Sequence, residues 1–284
     1  MSGAGRVDAH HHLWTLGRHD TSWLDGAASA PIRRDFGPAD LVAATAGRGI
    51  TQTVLVQTIS TIAETVDFLG IAAGSDLIGG VVGWVDLRAG NVAGQIADLR
   101  AGPGGAGLVG IRHGVQSEPD GDWLARPDVL RGLEAVGRAG LVYDLLTLPA
   151  QLPAALRAAV DVPDLTFVVD HLSKPEIAAG EREPWETRIR ALAGLDNVVC
   201  KLSGMVTEAD WAQWTVEDLR PYAEVVLDAF GPDRVMFGSD WPVCLLAAPY
   251  ERVVDTADQL TAGLTDSERD LVFGGTARRI YGLH

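Results

Sequence analysis

Residues 141–171 read LVYDLLTLPAQLPAALRAAVDVPDLTFVVDH. An apolar run, LVYDLL (141–146), leads through loop residues into an Ala/Leu-rich segment, LPAALRAAV (152–160), and then into a second apolar run, LTFVVDH (165–171). Strand, helix and strand in this order make a βαβ unit, the building block of parallel sheets. The alternation continues in both directions. Upstream lie RVDAHHH (6–12), TVLVQ (53–57), LIGGVVGWVDL (77–87) and LVGIRHG (108–114), and downstream VVCKLSG (198–204) and RVMFGSD (234–240). Helical patterns separate them, among them AETVDFLGIAAG (63–74), RPDVLRGLEAVGRAG (126–140) and VEDLRPYAEVVLDAF (216–230). Strands this continuously apolar belong to sheets covered on both faces, and eight βα units close into a barrel. The expected fold class is α/β, a (β/α)8 TIM barrel, as a single domain over residues 1–284. An open doubly wound sheet is the runner-up. Its glycine-rich nucleotide turn is missing, because AGPGGAG (101–107) precedes a strand and not a helix.

Composition narrows the function. The 284 residues carry a formal charge of −15, which repels phosphate backbones and anionic lipid surfaces, so neither nucleic acid nor membrane is an expected partner. Cys200 and Cys244 stand far apart in apolar runs and read as buried free thiols. No apolar stretch reaches membrane-spanning length, and the expected compartment is the cytoplasm. Residues 15–36 are long for a βα loop and read as a lid over the active-site mouth.

The chemistry gathers at strand ends. In Asp8-Ala9-His10-His11-His12, residues two apart share a face, so His10 and His12 point into the barrel and His11 points outward. Two adjacent imidazoles suit a Zn-like divalent ion. Asp170-His171 ends the sixth strand and Gly238-Ser239-Asp240 the eighth. In a barrel these ends converge on the face where chemistry occurs. A lone histidine at a strand end is more often a hydrogen-bonded structural residue, so the combination carries more weight than any member. Gln57, Trp84, Arg112, His113, Asp144, Lys174 and Trp241 are candidate substrate contacts near the same ends, with Asp86, Lys201 and Ser203 beside them. Each of these has a plain structural alternative, such as a helix cap, an ion pair or packing at the barrel top.

Six stretches, VDAHHHLW (7–14), GIRHGVQSEPDGDWL (110–124), YDLLTLPAQLP (143–153), VVDHLSKP (168–175), CKLSGMVTEADW (200–211) and MFGSDWPVC (236–244), resemble the amidohydrolase superfamily. The likeness is narrower to its sugar-lactonase branch, the L-fuconolactonase and L-rhamnono-lactonase-like proteins. The resemblance implies that His10 and His12 face a metal or the substrate carbonyl, that His171 assists, and that Asp240 is the general base or a metal ligand. Strand four ends in Arg112-His113 and strand five lacks histidine, so one divalent ion on His10, His12, Asp240 and His171, or none, is the expected complement. The activity implied is opening of a sugar-acid lactone, the partner a small-molecule lactone, with a homo-oligomer left open. The alternatives are a pyrone-dicarboxylate lactonase or non-oxidative decarboxylase on the same barrel, and then a barrel that only binds.

Overall fold

The computed structural model describes residues 5–284. Eight parallel strands run in sequence order around one sheet. They are β1 (Arg6–His11), β2 (Ile50–Val56), β3 (Ile78–Gly83), β4 (Leu108–His113), β5 (Val142–Leu145), β6 (Phe167–Val169), β7 (Val198–Leu202) and β8 (Val235–Phe237). Helices alternate with them: α1 (Pro38–Thr45), α2 (Ile62–Ala73), α3 (Val92–Ala101), α4 (Pro127–Arg138), α5 (Leu152–Asp161) and α6 (Trp185–Ala193). After β7 come α7 (Met205–Glu208) and α8 (Val216–Phe230), and after β8 come α9 (Tyr250–Leu260), α10 (Asp266–Asp270) and α11 (Thr276–Tyr281). This is the expected TIM barrel. Among the described residues no helix is long and apolar enough to cross a membrane.

The alternation of each strand divides the core in two. Val54, Val56, Val82, Val142, Val168, Val199 and Met236 fill the barrel interior, while Leu55, Val81, Ile111, Tyr143, Phe167 and Cys200 pack outward under the helices. Tyr281 and Leu283, at the chain end, join the interior cluster and close the barrel floor.

Two irregularities build the mouth. In β1, Asp8 pairs with Thr53 and His11 with Leu55, so three steps on one strand match two on the other. Such a bulge re-aims side chains. It lets Val7 and Ala9 fill the interior below while His10, the next residue, also faces inward. The second irregularity is the closing seam. β8 does not pair with β1 as a regular ladder; His11 instead bridges Trp241, with Asp240 N donating to His10 O (2.8 Å) and His12 N to Trp241 O (2.7 Å). The bonds that close the barrel therefore set Asp240 against the histidine pair.

The loop over residues 15–36 is pinned at its base by paired backbone bonds between Trp14 and Phe36 (3.1 and 2.9 Å). Arg18 and His19 both reach Asp67 on α2 at 2.6 Å. A cleft of about 500 Å³ lies between this loop and α2, walled by Trp14, Phe36 and Phe68.

Candidate active site

His12 Nε2 lies 3.2 Å from His10 Nε2 and 3.4 Å from Asp240 Oδ1. His10 Nε2 and His171 Nε2 stand 3.8 and 3.7 Å from the same carboxylate oxygen. The three imidazoles and the carboxylate expected from the sequence thus meet around one spot. They are nearly sealed, with His12, His171 and Asp240 each exposed by 5% or less and His10 not at all.

Backbone shape delivers these groups. His171, Leu172, Ser173 and Lys174 all take left-handed conformations, with φ from 52° to 56°, and Asp240 does too at 58°. A left-handed residue costs about 1–2 kcal/mol, so a run of four must be held from outside. Trp185 Nε1 donates to Leu172 O (2.6 Å), Ser173 Oγ bonds Thr147 Oγ1 (2.8 Å), and Lys174 N donates to His171 O (2.7 Å). Asp8, on the outward face of β1, accepts from Ser239 N (2.8 Å), Ser239 Oγ (2.6 Å) and Tyr250 OH (3.0 Å), and so anchors the turn that carries Asp240.

Two glycines make room for the rings. A Cβ at Gly204, where φ is +66°, would fall 2.6 Å from the His171 ring, and one at Gly238 would fall 2.7 Å from His10 Cβ. Gly204→Ala should therefore cost about 2 kcal/mol or more, combining left-handed strain with the clash, and should displace His171. Urea denaturation and turnover on the same sample check both effects; an alanine variant with native stability and rate would contradict them.

The second contacts of the imidazoles fix what each can do. His12 Nδ1–H donates to Val56 O (2.7 Å), so the neutral ring turns the lone pair of Nε2 toward the cluster. His171 Nδ1 bonds Ser203 Oγ at 2.9 Å. His10 Nδ1 lies between Lys201 Nζ (3.1 Å) and Asp170 Oδ1 (3.3 Å), and its Nε2 faces Arg112 Nη1 (3.2 Å). Burial pulls the pKa of His171 down to about 4 and that of His10 well below the usual imidazole range. Burial alone would raise Asp240, but His171 and His12 outweigh it and hold the carboxyl below its ordinary value. Asp240 is thus a carboxylate beside the neutral rings of His10 and His171.

A divalent ion fits this donor set. The donor atoms of His10, His12 and Asp240 lie within 4.8 Å of one another. Three protein ligands with an open position are the usual complement of a catalytic zinc-type site. His171 stands to one side, its ring 4.3 Å from that of His10. The Arg112 cation beside His10 Nε2 opposes a second positive charge.

Below the cluster lies a buried ionic network. Lys201 Nζ reaches Asp144 Oδ2 (2.5 Å) and Asp170 Oδ1 (3.0 Å), and Arg112 Nη1 reaches Asp170 Oδ2 (3.0 Å). Tyr281 OH, rising from the barrel floor, sits 2.9–3.0 Å from both Asp144 oxygens. Burial raises Asp144 to about 6 despite Lys201, while Lys201, His10 and Arg112 outweigh burial at Asp170 and keep it ionised. Asp144 is a correction to the sequence reading: fully buried under His10 and saturated by Lys201 and Tyr281, it has no face to offer a substrate.

The other expected contacts divide. Gln57 braces Arg112, its Oε1 accepting from Nη2 at 3.2 Å while its backbone carbonyl accepts from the same nitrogen. His113 accepts from Trp84 Nε1 (3.0 Å), donates to Glu118 Oε1 (2.7 Å) and stacks on Trp123 at 4.3 Å. It therefore orients Trp84. Trp241 packs edge-on against Phe36 at 5.3 Å, and Asp86 is exposed. Lys174 is partly open and stands 3.6 Å from Glu208. His11 faces away from the barrel as expected, yet it is fully buried and its Nε2 shares a hydrogen bond with Thr53 Oγ1 (2.9 Å). Asp170, Asp8, Tyr281 and Glu208 were not among the expected site residues. Asp170 and Asp8 stand inside the quoted histidine motifs, which is the signal for them; no local pattern marks Tyr281 or Glu208.

The family described as Amidohydrolase matches residues 7–283. The chain belongs to the amidohydrolase family. Among amidohydrolases with curated functions, the L-fucono-1,5-lactonases of Burkholderia multivorans and Burkholderia ambifaria are each 38% identical to it, covering 99% and 98% of this chain and 97% and 96% of theirs. A Burkholderia multivorans amidohydrolase crystallised with bound zinc superposes with a TM-score of 0.92 at 36% identity, over 99% of this chain and all of that one.

Two of these rings make acid stability predictable. Burial drops His11 to about 3 and His171 to about 4 from 6.5. Between pH 6.5 and those values the unfolded chain binds protons that the folded chain refuses. Stability is therefore full above pH 6.5 and is lost as pH falls, by about 2 kcal/mol per ring at pH 5. Urea midpoints at pH 7 and pH 5 test this; equal midpoints would contradict it.

Proposed function

We propose that this amidohydrolase opens a sugar-acid lactone of the L-fucono-1,5-lactone type to the free acid. The observation that carries the reading is the single Asp240 carboxylate faced by three imidazoles, in a chain that matches curated L-fucono-1,5-lactonases over nearly its whole length.

Asp240 takes a proton from water as the oxygen attacks the lactone carbonyl. Arg112 Nη1, held in place by Asp170 and Gln57, is the cationic donor on the Nε2 side of His10, the side that faces Asp240, and stabilises the carbonyl oxygen as it gains charge. The ring C–O bond then breaks, and Asp240 returns its proton to the departing oxygen. The product acid ionises, releasing one proton to solvent. A neutral His12 cannot donate from Nε2, because its proton sits on Nδ1, so its role is that of a lone-pair donor. A zinc-type ion held by His10, His12 and Asp240, with His171 beside them, would polarise the carbonyl and acidify a bound water. Trp84 and Trp241 supply flat apolar walls for the sugar ring.

The dicarboxylate alternative needs free cations at the mouth. The three arginines of the 15–36 loop are already paired, Arg18 with Asp67 (2.6 Å), Arg33 with Asp25 (2.9 Å) and Arg34 with Asp40 (3.0 Å). The test is a panel of aldonolactones followed by proton release, run beside metal quantification before and after chelator. The expected result is turnover of a deoxy or neutral sugar lactone, lost with the metal and restored by adding it back. A panel with no turnover under either condition would sink the reading.

A further inference from the structure

We propose that Glu208 and Lys174 form a polyol-binding, anion-excluding subsite beside Asp240, one that selects lactones substituted with hydroxyl groups and rejects those carrying a second carboxylate. This rests on the lactonase reading above and adds the substrate class that the pocket admits.

Two neighbouring strand ends build the pair. Lys174 is the last residue of the left-handed turn after β6, and Glu208 ends α7 directly after β7. Their charged atoms stand 3.6 Å apart and each side chain is 24% exposed. The Arg112–Asp170 and Lys201–Asp144 pairs, by contrast, are exposed by 3% or less. The Lys174–Glu208 pair thus stays open to an incoming molecule. Its separation exceeds that of a close charge-assisted hydrogen bond, so neither group saturates the other, and a hydroxyl approaching from the open side can bridge them, donating to the carboxylate and accepting from the ammonium. A sugar lactone brings several such hydroxyls.

The local charge works the other way on an anion. Asp144, Asp170, Glu208 and Asp240 face Arg112, Lys174 and Lys201, so four carboxylates stand against three cations. Burial raises the pKa of Glu208, partly offset by Lys174, and the Asp240 charge raises it further, which places the two carboxylates within each other's field. A second substrate carboxylate would have to displace Glu208 from Lys174 and then sit beside it. A repulsive element of this kind separates substrates that attraction alone would admit.

The experiment compares kcat/KM for L-fucono-1,5-lactone with that for its analogue bearing a carboxylate in place of the C6 methyl. Wild type should favour the neutral lactone. Glu208→Gln frees the ammonium and should narrow the ratio by at least about tenfold, whereas Lys174→Met leaves the carboxylate unopposed and should widen it. A merely structural pair would lower both rates in proportion. If Glu208→Gln does not fold, the direction of the Lys174→Met change decides. A ratio that neither variant moves, or that both move the same way, overturns the filter while the lactonase reading stands. A wild type that opens neither lactone overturns both.

Discussion

Replacing Asp240 with asparagine should lower kcat about a thousandfold and leave KM and the cooperative thermal transition nearly as they are. The side chain keeps its size and its place, since the seam bond from Asp240 N to His10 O belongs to the backbone. What goes is the carboxylate, the group assigned to accept the water proton, and a positioned general base contributes about 10²–10⁴ in rate. Single substitutions of His10, His12 or His171 should cost less. Steady-state kinetics with thermal scans on each variant check the ranking. If Asp240→Asn retained a tenth of the rate, the base would have to be sought elsewhere.

The second large effect is on folding. Lys201→Met should destabilise the protein by about 3–5 kcal/mol, because it leaves Asp144 and Asp170 buried without the ammonium between them. Domains of this kind have about 5–15 kcal/mol in all, so the loss is a large share. Adding Asp144→Asn removes one orphaned charge and should recover part of it, although each change alone is harmful. Urea titration of the two single variants and the double variant measures the recovery. Strictly additive losses would show that Lys201 and Asp144 do not act as a pair.

Much of the fold was legible because βα alternation is a long-range signal carried by many residues. A parallel sheet covered on both faces leaves continuous apolar runs such as FVV in β6, and no local accident mimics eight of them. The core of the site was legible for a related reason. His10, His12, His171 and Asp240 all lie at strand ends, and barrel closure makes such ends neighbours. What escaped depends on geometry with no sequence period. The β1 bulge lets both Ala9 and His10 face inward, against simple alternation. Asp144 has the position of a mouth residue, yet the strand places it one layer too deep, where Lys201 and Tyr281 claim it. Tyr281 comes from a terminal helix whose packing could be foreseen but whose hydroxyl target could not. Gly204, in the run 198–204, carries no sequence mark that a Cβ there would meet the His171 ring.

A crystal structure of the protein with the hydrolysed sugar acid bound tests the central claim most directly. The product carboxylate should lie among His10, His12 and His171, with an oxygen in hydrogen-bond reach of Asp240 and the sugar hydroxyls directed toward Lys174 and Glu208. An acid lodged instead in the cleft between the 15–36 loop and α2, with the Asp240 cluster untouched, would contradict the account.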